Sequence, residues 1–180
     1  MSTTIRFSGR DVDFDERTLQ ASLDYRVLQT VGISFGVGAI LDGNLRVGDT
    51  DFDIQAGVAG TVAVSWLALP EGDVRPFLLV GVGFGASTTE AGGERLTALD
   101  LRGSLVIGKT FFEQLTPYVV GRVFGGPVKW TIAGQSVTGG DTHHYTVGVG
   151  ATLRISGLDV FAEVLPLGER ALNVGLGWSI

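Results

Sequence analysis

The sequence contains no cysteine, a single methionine and only two lysines, Lys109 and Lys129. The first absence excludes disulfides and thiolate metal sites and leaves the redox compartment open. The scarcity of lysine thins the coat of flexible cations that usually keeps a soluble domain dispersed. Charged residues make up 18% of the chain, against about 25% in typical soluble domains. The net charge of −6 argues against a nucleic-acid partner, whose phosphates attract clustered Lys and Arg. No run of about 18 apolar residues occurs, so a transmembrane helix is excluded. Met1-Ser2-Thr3-Thr4-Ile5-Arg6-Phe7 does not resemble a secretory signal, so an exported protein is expected here as a mature form with an added Met. Nowhere does a helical 3.6-residue pattern compete.

What is present is glycine, 28 residues of it, with 44% hydrophobic residues and a mean hydropathy of +0.32. The chain is long enough for one domain, 1–180, with a substantial core or a closed sheet. Period-two alternation runs almost throughout. Leu19, Ala21, Leu23, Tyr25 and Val27 alternate with Gln20, Ser22, Asp24 and Arg26, and Val31 to Ala39 continue with Gly32, Ser34, Gly36 and Gly38 between. Similar stretches run from Ile54 to Trp66, Leu78 to Phe84, Leu99 to Ile107, Thr116 to Phe124, Tyr145 to Leu153, Val160 to Val164 and Leu172 to Ile180. That makes nine strands from Thr18 onward. Thr4 to Ser8 is the candidate for a tenth that would make the count even. Asp42 to Asp51, Thr88 to Arg95 and Gly125 to Thr142 are predicted as longer polar loops, whereas Leu28 to Thr30 and Ser156-Gly157 are short turns at the opposite end.

The apolar face of these segments is rich in Leu, Val, Ile and aromatics, and its opposite is mostly Gly, Ser and Thr. An interior bounded by eight to ten strands is only just wide enough for packed side chains or a small lumen. The large residues are therefore expected to point outward into lipid and the small ones inward. The expected fold class is all-β, a closed antiparallel up-and-down transmembrane β-barrel of about ten strands, with eight as the fallback. The charges Asp24, Arg26, Asp53, Asp100, Arg102, Arg122, Arg154 and Glu163 share the inward parity and form a candidate lumen network, since buried charges must pair or stay wet. Inward glycines are expected to leave some open volume. Tyr25, Trp66, Tyr145 and Trp178 suit interfacial aromatic girdles.

Gly108-Lys109-Thr110-Phe111-Phe112, leading through Leu115-Thr116-Pro117-Tyr118, and the terminal alternation of Leu172, Val174, Leu176, Trp178 and Ile180 resemble small outer-membrane barrels of the OmpA/OmpX-like class. The resemblance implies an outer-membrane location and lipid as the surrounding partner. It also implies a terminal strand read by the barrel-assembly machinery, although that class most often ends in Phe rather than Ile. A monomer without cofactor is expected, with a structural or interaction role and the longer loops meeting an extracellular partner. The alternatives are a small diffusion channel gated by the lumen charges and a soluble lipocalin-like barrel binding an apolar ligand. A rim enzyme is the remaining one. Gly32-Ile33-Ser34-Phe35-Gly36 matches G-x-S-x-G but lacks the strand–turn–helix setting that the motif needs, and Gly81 to Gly85 lacks a following Lys-Ser/Thr and helix. Asp141, His143 and His144 are the one histidine cluster, expected as a polar strand end.

Overall fold

Alternation this strict, sustained over runs this long, favours extended backbone with one face apolar, and neighbouring runs satisfy each other's main-chain groups. The computed structural model describes residues 1–132 and 134–178. It is 82% strand with no helix. Thirteen strands form one antiparallel sheet: β1 (Ser2–Phe7), β2 (Arg10–Leu28), β3 (Val31–Val47), β4 (Thr50–Ile54), β5 (Gly57–Leu69), β6 (Phe77–Ala91), β7 (Glu94–Gly108), β8 (Leu115–Gly125), β9 (Val128–Ile132), β10 (Gln135–Asp141), β11 (Tyr145–Ile155), β12 (Leu158–Gly168) and β13 (Ala171–Trp178).

Three pairs of these strands act as single kinked staves. β4 and β5 both lie between β3 and β6, β8 and β9 follow one another along β7, and β10 runs on into β11. At the β8–β9 kink, Gly126 passes so close to β7 that a Cβ there would sit 1.8 Å from the Leu99 carbonyl oxygen. Glycine is required at that approach.

Two stacked regions result. At one end β1, β2, β3, β4, β6, β7, β9 and β10 close into an eight-strand ring, sealed where β1 pairs with β10. Away from it β2, β3, β5, β6, β7, β8, β11, β12 and β13 form a nine-strand wall. The short turns lie at the far end of the wall. One of them, Ser156-Gly157, has φ of 50° and 87°, the paired positive values of a type I′ hairpin.

The inward face is continuous through both regions but changes character. In the ring it carries Ile5, Phe7, Val12, Phe14, Ile40, Leu45, Ile54, Leu96, Val128 and Trp130, which form the apolar core. Phe52 meets Trp130 edge-on at 5.3 Å there. In the wall most inward positions are small, polar or charged, with Val120, Phe124 and Leu165 buried among them, and Leu23, Phe35, Val37, Val64, Leu101 and Val149 stand exposed outside.

Nine wall strands from Thr18 onward match the alternating segments of the sequence. Three expectations are corrected. Asp42–Asp51, Thr88–Arg95 and 125–142 are not loops: they are strand extensions and hairpins that build the ring. There Leu45 and Leu96 are core residues and the polar partners face out. A strand does precede Thr18 as expected, β1 over Ser2–Phe7, but it sits in the ring between β2 and β10 and is not a tenth strand of the wall. The wall itself is not closed, since among the described residues β13 pairs along its length only with β12.

Candidate functional site: the interior charge network

Within the wall, β11 turns only Gly148 and Gly150 inward between β8 and β12 over the stretch that separates Arg122 from Glu163. With no side chain in the way, Arg122 on β8 spans β11 and reaches Glu163 on β12. Its Nη1 and Nη2 both donate to the carboxylate at 2.9 Å. Asn173 Nδ2 on β13 donates to the same group at 2.9 Å, and the Tyr118 hydroxyl at 3.3 Å. Glu163 is 5% exposed, so its charge depends on these four donors. A bidentate guanidinium fork is the geometry best suited to hold it.

A second cluster lies where wall meets ring. Arg102 stacks over the Phe124 ring at 4.9 Å and donates to Asp100 at 3.0 Å and Glu169 at 3.5 Å. Glu169 follows Gly168, whose φ of 78° and closeness to the Tyr145 carbonyl admit no side chain. The buried Thr146 hydroxyl fixes that connection through the carbonyls of Leu167 and Glu169, at 2.9 and 2.8 Å. Asp141 accepts from the Thr3 hydroxyl at 2.9 Å. Burial pushes the carboxyls of Glu16, Asp141 and Glu169 above the usual range. Neighbouring carboxylates add to the effect, and Arg102 and Arg122 oppose it at Glu169.

At the short-turn end, Arg154 pairs with Asp159 through two bonds of 2.7 and 3.0 Å. Glu71 accepts from the Thr110 amide at 2.7 Å and hydroxyl at 2.9 Å, with Lys109 Nζ 3.4 Å away. That amide holds the Glu71 carboxyl below its ordinary value.

Of the lumen charges expected from sequence, the structure brings together Arg122 with Glu163 and Asp100 with Arg102. Asp24 accepts from the Ser34 hydroxyl, which gives the serine of the G-x-S-x-G match a structural role in mid-strand. Arg26 lines the short-turn mouth beside Arg154. Asp53 is a correction: it lies on the ring's outer face, opposite Phe52 and Ile54, because the inward face there belongs to the apolar core. Tyr118 and Asn173 carry the inward parity legible in the sequence, but their bonds to Glu163 were not foreseen, and Glu169, at the adjoining turn, was not singled out.

The inward glycines divide: at Gly85 and Gly177 a Cβ would meet nothing nearer than 3.7 Å, whereas two others are covered by rings. Gly150 lies under the Tyr118 ring and Gly175 under Phe161, each within 2.4 Å of where a Cβ would stand. His143 Nδ1 meets the Thr142 hydroxyl at 3.1 Å, and no group of three metal-ligating side chains occurs among the described residues. Tyr25, Trp66, Tyr145 and Trp178 are all exposed on the outer face, the first two and Trp178 toward the short turns and Tyr145 toward the ring. Leu172, Val174, Leu176 and Trp178 share that face on β13, and Ile180 lies outside the described residues.

No protein-family model matches the chain. A search of curated proteins finds no relative either.

Proposed function

We propose that the chain is an integral outer-membrane β-barrel protein with a structural or interaction role, its wall in lipid and its ring in water. One observation carries this reading. Along β2 the outward residues are Asp11, Asp13, Asp15 and Arg17, then Leu19, Ala21, Leu23, Tyr25 and Val27. On β3 the order is Val31, Ile33, Phe35, Val37 and Ala39, then Asp42, Asn44 and Arg46. On β6 and β7 the same change falls at Ala86 to Thr88 and at Thr97 to Leu99. Registered pairs Leu19–Ala39, Ala39–Val58 and Val58–Thr88 join these points into one line around the sheet. Each apolar stretch is about nine residues long, the length that a tilted strand needs to cross the hydrocarbon core. A water-soluble barrel has no use for such a band, which as exposed surface would promote aggregation.

The interior favours a scaffold over a diffusion channel. The Arg122–Glu163 network bridges the wall's inside, and the ring end is filled by packed side chains with Leu45 wholly buried. The ring hairpin of β9 and β10 then presents its outer face to a partner beyond the membrane. Folded protein is expected to float with phospholipid vesicles, to show heat-modifiable migration on gels and to stay silent in planar bilayers. A monodisperse chain in detergent-free buffer overturns the membrane reading. Single-channel currents that change on Arg122→Ala restore the channel.

A further inference from the structure

The wall's two edges, β13 and the Thr18–Leu28 part of β2, face each other across a seam. Below the ring, β2 has β3 on one side and no strand pairing on the other among the described residues. Side chains along this seam are among the most exposed apolar ones in the molecule: Leu172 71%, Val174 73%, Leu176 72% and Trp178 72% on β13, with Leu19 67% and Leu23 70% on β2. Free strand edges in lipid are costly, because no water is there to satisfy their amides and carbonyls.

The head of the seam measures its width. Ser2 of β1 pairs with Asp15 of β2 on one side and bridges Arg170 on the other, with amide–carbonyl bonds of 2.8 and 2.9 Å between Ser2 and Arg170. One strand therefore fits between the two edges. Just there a cleft of ≈ 700 Å³ opens, lined by Asp15, Glu16, Arg17, Leu165 and Leu172 among others.

Strand direction narrows the choice of occupant. β2 and β13 both run from the ring toward the short turns, so direct closure would be parallel, against the antiparallel pairing everywhere else. A second copy inserted the same way presents edges of the same direction and meets the same obstacle. One strand running toward the ring, in line with β1, is antiparallel to both edges and makes ten.

We infer that the seam is a strand-binding groove for an extended segment of a partner polypeptide; this rests on the membrane reading above. The occupant has about nine residues, the length that spans the apolar band. Its apolar residues face out beside Leu23 and Val174, and small or polar ones face in beside Ser22 and Gly177. Main-chain bonds supply affinity and the alternation supplies register, as in other strand-addition complexes.

The natural absence of cysteine makes the test clean. Counting seven residues from Asp15 and from Arg170 places Ser22 and Gly177 level with one another. A Cβ at Gly177 meets nothing nearer than 3.7 Å. The chain is reconstituted in phosphatidylcholine vesicles with a synthetic copy of residues 31–39, itself a strand that runs toward the ring, carrying Gly36→Cys. Under mild oxidation the peptide should cross-link to Ser22→Cys and to Gly177→Cys at least about tenfold more than to Ser104→Cys, whose strand is paired on both sides.

Equal cross-linking to Ser104→Cys overturns the inference. So does an intrachain disulfide in Ser22→Cys/Gly177→Cys without peptide, since two strand spacings, about 10 Å, exceed the reach of a disulfide. A peptide that seats only when joined ahead of Met1 overturns the partner as its source. Flotation is read in the same samples. Protein that fails to float overturns the membrane reading as well, whereas floating protein without cross-link overturns the seam alone.

Discussion

Ring and wall are built from the same strands, yet their polarity is reversed. β2, β3, β6 and β7 pass through both, with unbroken pairing and an unchanged inward parity apart from the shift between Arg17 and Thr18 that leaves Leu41 over on β3. In the ring the inside is Leu45, Phe14 and Trp130 and the outside is Asp13, Arg46 and Asp51. In the wall the inside is Glu163, Arg122 and Gly150 and the outside is Leu23, Val37 and Leu101. Alternation makes a strand in either setting, but which face turns inward depends on the medium outside. Burying a Leu is worth about 1.5–3 kcal/mol relative to water, so the ring's core suits an aqueous exterior. On the proposed membrane reading, the wall's outer face would gain that energy from lipid.

The sharpest difference should appear on deleting one inward group from each region. Glu163→Ala strands the half-buried Arg122 guanidinium, at a cost of about 3 kcal/mol, read as a lowered denaturation midpoint of the detergent-folded protein. Arg122→Met/Glu163→Leu should recover most of it, because the uncompensated charge goes too. Next comes the ring: Leu45→Ala opens a cavity in the packed core and should cost about 3 kcal/mol. Leu101→Ala, on the wall's exposed outer face, should cost under about 1 kcal/mol if the wall lies in lipid as proposed, since lipid would follow the smaller surface. If both leucines cost the same, the two regions share one kind of exterior and the comparison fails.

The wall was legible from sequence because its alternation is clean and its apolar face carries no charge: nine segments from Leu19 to Trp178 correspond to nine strands. The ring was not. Its stretches read as loops because Asp42, Asn44, Arg46 and Asp51 outnumber Leu45 and Val47 locally, and a strand with water on one side looks like polar chain. Asp53 was misassigned for the same reason: inward parity was equated with polarity, a rule that inverts at the ring. The Arg122–Glu163 pair lay on the predicted face. Its reach across β11 depends on Gly148 and Gly150, which one-dimensional reading took for empty space. The open seam was foreshadowed only by the odd strand count.

A smaller effect concerns the junction of the two regions. The raised carboxyls of Glu16, Asp141 and Glu169 favour the folded state most when protonated. Their stabilisation is full below the ordinary carboxylate value and is lost as pH rises through the raised folded values. Glu71, held low by the Thr110 amide, acts oppositely, and its contribution disappears only at more acidic pH. Between neutrality and the ordinary carboxylate range the denaturation midpoint should therefore rise as pH falls. Glu169→Gln should flatten that rise, and a midpoint that instead falls steadily with pH would contradict the assignment.

The smallest effect is expected from an ion pair whose geometry rivals that of Arg122 with Glu163. Arg6 Nε and Nη2 donate to Asp11 at 2.6 and 3.0 Å on the ring's outer face, yet the two side chains are 57% and 54% exposed. Water screens the pair, and both groups keep good hydration when it is broken. Arg6→Ala should leave the denaturation midpoint unchanged within error, and so should Asp11→Asn. A large loss from either would mean that this face is shielded from water, as it would be if lipid or a bound partner covered the ring. The proposed contrast between an aqueous ring and a lipid-facing wall would then have to be redrawn around β1 and β2.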